Sequence, residues 1–181
     1  IAGAARHGFA RRLTRLKTNA ASIHASLGNV GRALALDKEV LSTAMAAGDT
    51  AWVVPSLVNI ATMHKIASQL DSCRHYHDRA LRWSRGLPRP EQRARLLFHR
   101  SEYFLHIGRY ATVDSLLAEA EALLPPEAPM NLWARLQLRR IRLGRLSGRP
   151  ATAYRAIDEL RRFKADITDE AADYSLIADA E

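Results

Sequence analysis

Four arginines, Arg135, Arg139, Arg142 and Arg145, stand three or four residues apart. On a helix that spacing puts them on one face, where their guanidinium forks suit carboxylates or phosphates. Asn19 and Asn59 stand forty residues apart. An amide side chain offers a donor and an acceptor at once, so it can grip a peptide backbone without reading its side chains. The seven histidines do not form a metal pattern. His75 and His77 are two apart and point to different sides of a helix, and no His/Cys spacing of a zinc site occurs. Cys73 is the only cysteine; it allows no internal disulfide and reads as a small packing residue. No glycine-rich phosphate loop and no local pairing of a nucleophile with a base is present. The expectation is a non-catalytic chain with no cofactor and no metal.

The elements that must hold these residues follow from composition and spacing. Ala, Leu and Arg dominate the 181 residues and β-branched residues are sparse, which favours helix. Step back by forty from Gly108 and one reaches Ser68, then Gly28; step forward and one reaches Gly148. After each comes a related run, GNVGRAL, SQLDSCR, GRYATVD and GRPATAY, with a small or compact residue in sixth place: Ala33, Cys73, Val113 and Ala153. Four residues later sit Asp37, His77, Leu117 and Ile157. Fixed-period self-similarity marks a repeat array. Each unit reads as two helices, the first at roughly 10–27, 50–67, 90–106 and 129–146, the second at roughly 30–47, 70–85, 110–124 and 150–166. Breakers close the units at Gly48-Asp49, at Leu87-Pro88-Arg89-Pro90 and at Pro125-Pro126. Ala21, Ala61 and Ser101 stand twelve residues before Ala33, Cys73 and Val113. Short side chains there would let paired helices approach, and one pair cannot bury its apolar faces alone, so neighbours must stack.

The expected fold is therefore all-α, a right-handed superhelical array of antiparallel helix pairs. Its units run at about 10–48, 49–88, 89–128 and 129–168, within a single repeat domain over 1–181. Thr168, followed by Asp169 and Glu170, reads as the N-cap of a ninth helix and the start of a fifth unit over 169–181. The chain reads as a fragment of a longer protein. No apolar run is long enough to span a membrane, and the expected location is cytoplasmic.

Gly108-Arg109-Tyr110 with Val113 resembles the turn and second helix of the tetratricopeptide repeat. Asn19-Ala20-Ala21 and Asn59-Ile60-Ala61 resemble the Asn-Leu-Gly segment of that family's first helix, His24, His64 and Phe104 fall where it prefers Tyr, and Pro125 matches its closing proline. The period of forty departs from the family's thirty-four, and the fourth unit carries Ile141 and Gly144 at two signature positions. Forty-residue variants resemble those of large bacterial signalling proteins: LuxR-type transcription regulators, peptide sensors and diguanylate cyclases. HEAT-type arrays share the period but do not explain the Gly/Tyr/Ala signature.

The resemblance implies a peptide-binding or partner-binding groove lined by the first helix of each pair. By register its positions are Asn19, Asn59, His99 and Arg139 in one ladder, and Ser22, Thr62, Glu102 and Arg142 in the next, with Arg135 on the same face of the fourth unit. The occupant would be an extended protein or peptide segment, or a neighbouring domain of the same chain, with its acidic end towards the fourth unit. The alternative for the asparagines is that they cap or bridge neighbouring helices. Thr18 and Val58 stand where the family's carboxylate clamp has Lys beside Asn, so no chaperone-type clamp is implied.

Charge leaves two further readings open. Residues 129–168 hold ten basic and three acidic residues, and residues 169–181 five acidic and none basic. The arginine face could bind phosphate, or Asp169 and Asp173 of the ninth helix could neutralise it; the second is favoured, because charge runs usually mark paired or solvated faces. Nucleic acid also wants aromatic residues interleaved with the arginines, and only Trp133 and Tyr154 are near. Self-association as a homodimer is the other reading, through Phe9 and Leu13 at one end or Tyr174 and Ile177 at the other.

Overall fold

A computed structural model describes the backbone of residues 2–87 and 89–166, and the side chains of residues 11–87 and 89–162. The expected ninth helix, with Thr168, Asp169, Asp173, Tyr174 and Ile177, lies outside the described residues, as does the side chain of Phe9. The described residues form eight α-helices and no strand: α1 (Ala2–Ser26), α2 (Val30–Ala46), α3 (Thr50–Ile66), α4 (Leu70–Ser84), α5 (Pro90–His106), α6 (Tyr110–Ala122), α7 (Met130–Leu146) and α8 (Pro150–Asp166). They fall into two compact units, Ile1–Leu87 and Pro88–Glu181. Each holds two helix pairs, and the boundary lies at the proline-rich Leu87–Pro90 stretch.

Seven helices start and stop within two residues of the positions read from sequence. The exception is α1, expected from residue 10 and found from Ala2. Its first turns hold Ala and Arg and no proline. The two glycines there cost about 1 kcal/mol each in helix propensity, which does not break a helix by itself; the repeat register marks where a unit begins, not where its helix does.

Each first helix ends in the same hydrogen-bonded turn. The Asn29 N–H donates to the His24 carbonyl at 2.8 Å and the Gly28 N–H to Ala25 at 3.0 Å. Gln69 to His64, Arg109 to Phe104 and Arg149 to Gly144 repeat the longer bond at 2.8, 2.9 and 2.8 Å. This double closure puts one residue in the left-handed region. That residue is Gly28, Gly108 and Gly148 in three turns, at φ 77°, 71° and 67°, and Ser68 in the fourth, at φ 58°. A side chain there costs about 1–2 kcal/mol, partly offset by the unfolded-state freedom of glycine. Ser68→Gly is expected to raise stability by about 0.5–1 kcal/mol and the Tm by about 2 °C. A thermal melt showing no gain would contradict the assigned turn.

Packing follows the small-residue register. Ala21 and Ala33 are both buried in one cluster with Leu36 and Met63. Ala61 with Cys73, and Ser101 with Val113, hold the equivalent places and are fully inaccessible. Ser101 satisfies its hydroxyl on the Phe98 carbonyl at 2.8 Å. In the first compact unit Val40, Val53, Leu57 and Ile60 are fully covered; in the second Leu96, Leu97, Phe98, Leu117, Leu132, Leu136 and Leu143 are. Each such side chain contributes about 1.5–3 kcal/mol on burial.

The last pair departs from this scheme in a definite way. Ile141 occupies the small-residue place, and Gly144, one turn on, occupies the aromatic place. Ile141 clusters with Ala153 and Ala156. A Cβ on Gly144 would lie 2.6 Å from the Ala153 amide nitrogen and 2.9 Å from the Arg149 carbonyl oxygen. The closest approach of α7 to α8 has therefore moved one helical turn towards the connecting turn.

Candidate functional site

In the second compact unit, α5 and α7 are the two first helices and they pack directly on each other. This brings the expected ladder residues together. Arg142 Nη1 donates to Glu102 Oε2 at 2.6 Å, across the forty-residue register, and Arg139 Nε lies 3.6 Å from Glu102 Oε1. One carboxylate on α5 thus sits between two guanidinium groups on α7.

The two arginines differ in what they have left to offer. Arg139 is 12% exposed. Its Nε donates to the Phe98 carbonyl at 3.0 Å, its Nη1 donates to the Arg135 carbonyl at 3.2 Å, and its guanidinium lies over the Phe98 ring at 5.3 Å from the centroid. Burial pushes its pKa down to about 10, with Glu102 opposing and Arg135 and Arg142 adding to the fall; it stays charged at neutral pH. Arg139 is a seated residue that ties α7 to α5. Arg142 is 60% exposed. Arg135 is half-buried, and its Nε is buried without a hydrogen-bond partner among the described residues. His99 is half-buried and has a partner of its own.

Three other arginines of this unit meet acids on α6. Arg140 grips Glu121 through both nitrogens, at 3.0 and 2.6 Å. Arg149 meets Asp114 at 2.7 Å and Arg93 meets Glu119 at 2.6 Å. Arg145 is exposed and makes no ion pair among the described residues. Among the described residues the basic run is paired with Glu102, Asp114, Glu121, Asp158 and Glu159, while Asp169 and Asp173 lie outside the described residues.

In the first compact unit the ladder residues divide. Asn19 and Ser22 on α1 are exposed. Asn59 on α3 is half-buried, and its Nδ2 donates to Asp37 Oδ1 on α2 at 3.3 Å. Asn59 thus bridges neighbouring helices, the role weighed against peptide binding above. Asp37 is buried, at 2% exposure. Desolvation pushes its pKa up to about 6, with the Asn59 amide pulling the other way. The hydroxyls of Ser22 and Thr62 donate to carbonyls of their own helices, Thr18 at 3.2 Å and Val58 at 3.0 Å. Asn19 is the ladder residue of this unit whose side chain makes no hydrogen bond among the described residues.

The remaining candidates are structural. His64 meets Gln69 Oε1 through Nδ1 at 2.6 Å and stacks on Tyr76 at 5.2 Å between centroids, which locks the end of α3 to the start of α4. Cys73 is fully buried, 3.6 Å from His77 Nδ1, and burial pushes its thiol up to about 11; a thiol in that state is a poor nucleophile. No group of three metal-ligating side chains is found among the described residues. No described helix is long and apolar enough to cross a membrane. Sequence reasoning missed Asp37 as the partner of Asn59, and Phe98 as the seat of Arg139. The signal for the first was a carboxylate at the place held by Leu117 and Ile157 in other units, where a charge needs a donor.

No family model and no curated protein matches this sequence. Among solved structures, the chain is similar to the crystal structure of BtubC (BKLC) from P. vanneervenii, with a TM-score of 0.71 over 91% of this chain and 68% of that one, at 14% identity. The likeness shows the fold class, an α-helical superhelical array of tandem helix pairs.

Proposed function

We propose that this chain is a non-catalytic, tetratricopeptide-like scaffold or sensor segment that binds an acidic protein or peptide segment on the first-helix face of its second compact unit. One observation carries the reading: α5 and α7 already hold a carboxylate, Glu102, between Arg139 and Arg142, and the Arg142 side chain is 60% exposed. The arrangement is a carboxylate clasp with capacity left over, and a partner's Asp or Glu has the geometry to share the Arg142 fork. The resemblance of the forty-residue unit to variants in bacterial regulators supports a place within a larger cytoplasmic regulatory protein.

The test is an anisotropy titration at physiological salt with a labelled Glu/Gly-rich peptide and its Gln counterpart. The Glu peptide should bind about tenfold more tightly, and Arg135→Ala with Arg142→Ala should remove that margin. Arg140→Ala, on the Glu121 side, should change nothing. Equal affinity for the two peptides, or an unchanged margin in the double variant, would defeat the reading. A single-stranded oligonucleotide that outcompetes the Glu peptide with a steep salt slope would transfer the site to phosphate.

A further inference from the structure

Glu102 holds a place that is polar or charged in every unit: Ser22, Thr62 and Arg142 stand there in the others. Ser22 and Thr62 turn their hydroxyls back to carbonyls of their own helices. Glu102 reaches across to the next first helix instead. That helix, α7, carries five arginines and no Asp or Glu. The other acid of α5, Glu91, stands in its first turn, three turns away from the clasp. On this face the arginines of α7 therefore meet one acid of the chain's own, and it is Glu102.

Burial orders the three members of the clasp. The side chains of Arg139 and Glu102 are 12% and 18% exposed, and that of Arg142 is 60% exposed. Arg139 has seats besides the acid: it donates to the Phe98 and Arg135 carbonyls, and it lies over the Phe98 ring. Arg142 takes its hold from Glu102 Oε2, at 2.6 Å from Nη1. An incoming Asp or Glu that seeks a two-pronged grip on the Arg142 fork must take the nitrogen that Glu102 already occupies. The charge of Glu102 also cancels that of one guanidinium, so the trio offers a ligand one positive charge in place of two.

Resting on the reading that this face receives acidic segments, we propose that Glu102 is a built-in competitor of the ligand, an internal carboxylate that holds the Arg142 fork in the free chain and keeps the affinity for a partner's acid low. The site is thus set by its own acid. The partner it fits carries acids in a run, because a single carboxylate does no more than replace the one already there.

The test is an anisotropy titration of the full 181-residue chain with the labelled Glu/Gly-rich peptide, its Gln counterpart and a third peptide that keeps one Glu. Glu102→Gln retains the shape and an acceptor for both arginines while losing the charge. It should tighten binding of the Glu-rich peptide about three- to tenfold and leave the Gln peptide unmoved. The single-Glu peptide should match the Gln peptide on the parent and exceed it on Glu102→Gln. Glu121→Gln makes the same change of charge beside Arg140 and should alter nothing. Adding Arg142→Ala to Glu102→Gln should abolish the gain. A readout on the parent needs no variant: the Glu102 side-chain carboxyl resonance should shift and saturate with the Glu-rich peptide, as its bond to Arg142 loosens. No gain in Glu102→Gln, an equal gain in Glu121→Gln, or an unmoved Glu102 resonance at saturation overturns the proposal. A parent that prefers the Glu-rich peptide while Glu102→Gln gains nothing loses the competitor and keeps the acid-binding face. A parent and variant that both ignore the peptide's charge lose the face itself, and the proposal with it.

Discussion

Replacing Gly144 with alanine is expected to destabilise the chain by about 2–4 kcal/mol, although alanine is the better helix former by about 1 kcal/mol. The new methyl carbon would stand 2.6 Å from the Ala153 amide nitrogen and 2.9 Å from the Arg149 carbonyl oxygen. Both are backbone atoms, one in the turn just before α8 and one in its first turn, and the Arg149 N–H is itself bonded to the Gly144 carbonyl at 2.8 Å. Neither can move without opening the turn that joins α7 to α8. The same substitution at Gly31 gives the internal control: nothing lies within 4 Å of a Cβ built there. Gly31→Ala should therefore stabilise by about 0.5–1 kcal/mol through helix propensity alone. Denaturant unfolding of the two variants should show shifts of opposite sign. A Gly144→Ala variant as stable as the parent would mean that the last pair does not cross where the structure places it.

Asp37→Asn is expected to stabilise the chain above pH 6 by about 1–3 kcal/mol and to change it little at pH 4. The sign follows from the proton balance. The buried carboxyl titrates at about 6 in the fold against 3.8 for a free side chain, so between those values the folded state holds the proton more tightly. Stability from this group is present below pH 3.8 and is lost as pH rises through 6. The asparagine keeps an acceptor for the Asn59 amide and carries no charge to desolvate; its added N–H groups need partners, which sets the lower end of the range. Unfolding free energies from pH 4 to 8 should fall for the parent and run flatter for the variant. Parallel profiles would show that Asp37 is not titrating in a buried site.

The helices were legible because their signals are local. Glycine at Gly28, Gly108 and Gly148, proline at Pro90 and Pro150, and the twelve-residue spacing of Ala21 to Ala33 act within one pair, and a single sequence carries them. Ser68 could be placed by register, but its left-handed backbone became visible only with coordinates. Ile141 and Gly144 stood out as departures from the pattern. That they exchange bulk for closeness one turn along the helix follows from the distance to Ala153. The site was less legible because its contacts join different helices. Register aligned Glu102 with Arg142 and Asn59 with Asn19, yet it did not reveal that Glu102 would hold two arginines or that Asn59 would turn to Asp37. Those outcomes depend on side-chain reach across a packed interface.

The proposed reception of carboxylates on the α5–α7 face through Arg142 is tested most directly by the arginine Nε–Hε NMR spectrum during titration with the Glu/Gly-rich peptide. The Arg142 resonance should move and saturate, while those of Arg140 and Arg149, held by Glu121 and Asp114, stay in place. Movement of Arg140 and Arg149 with Arg142 unmoved, or a uniform drift of all arginines without saturation, would contradict it.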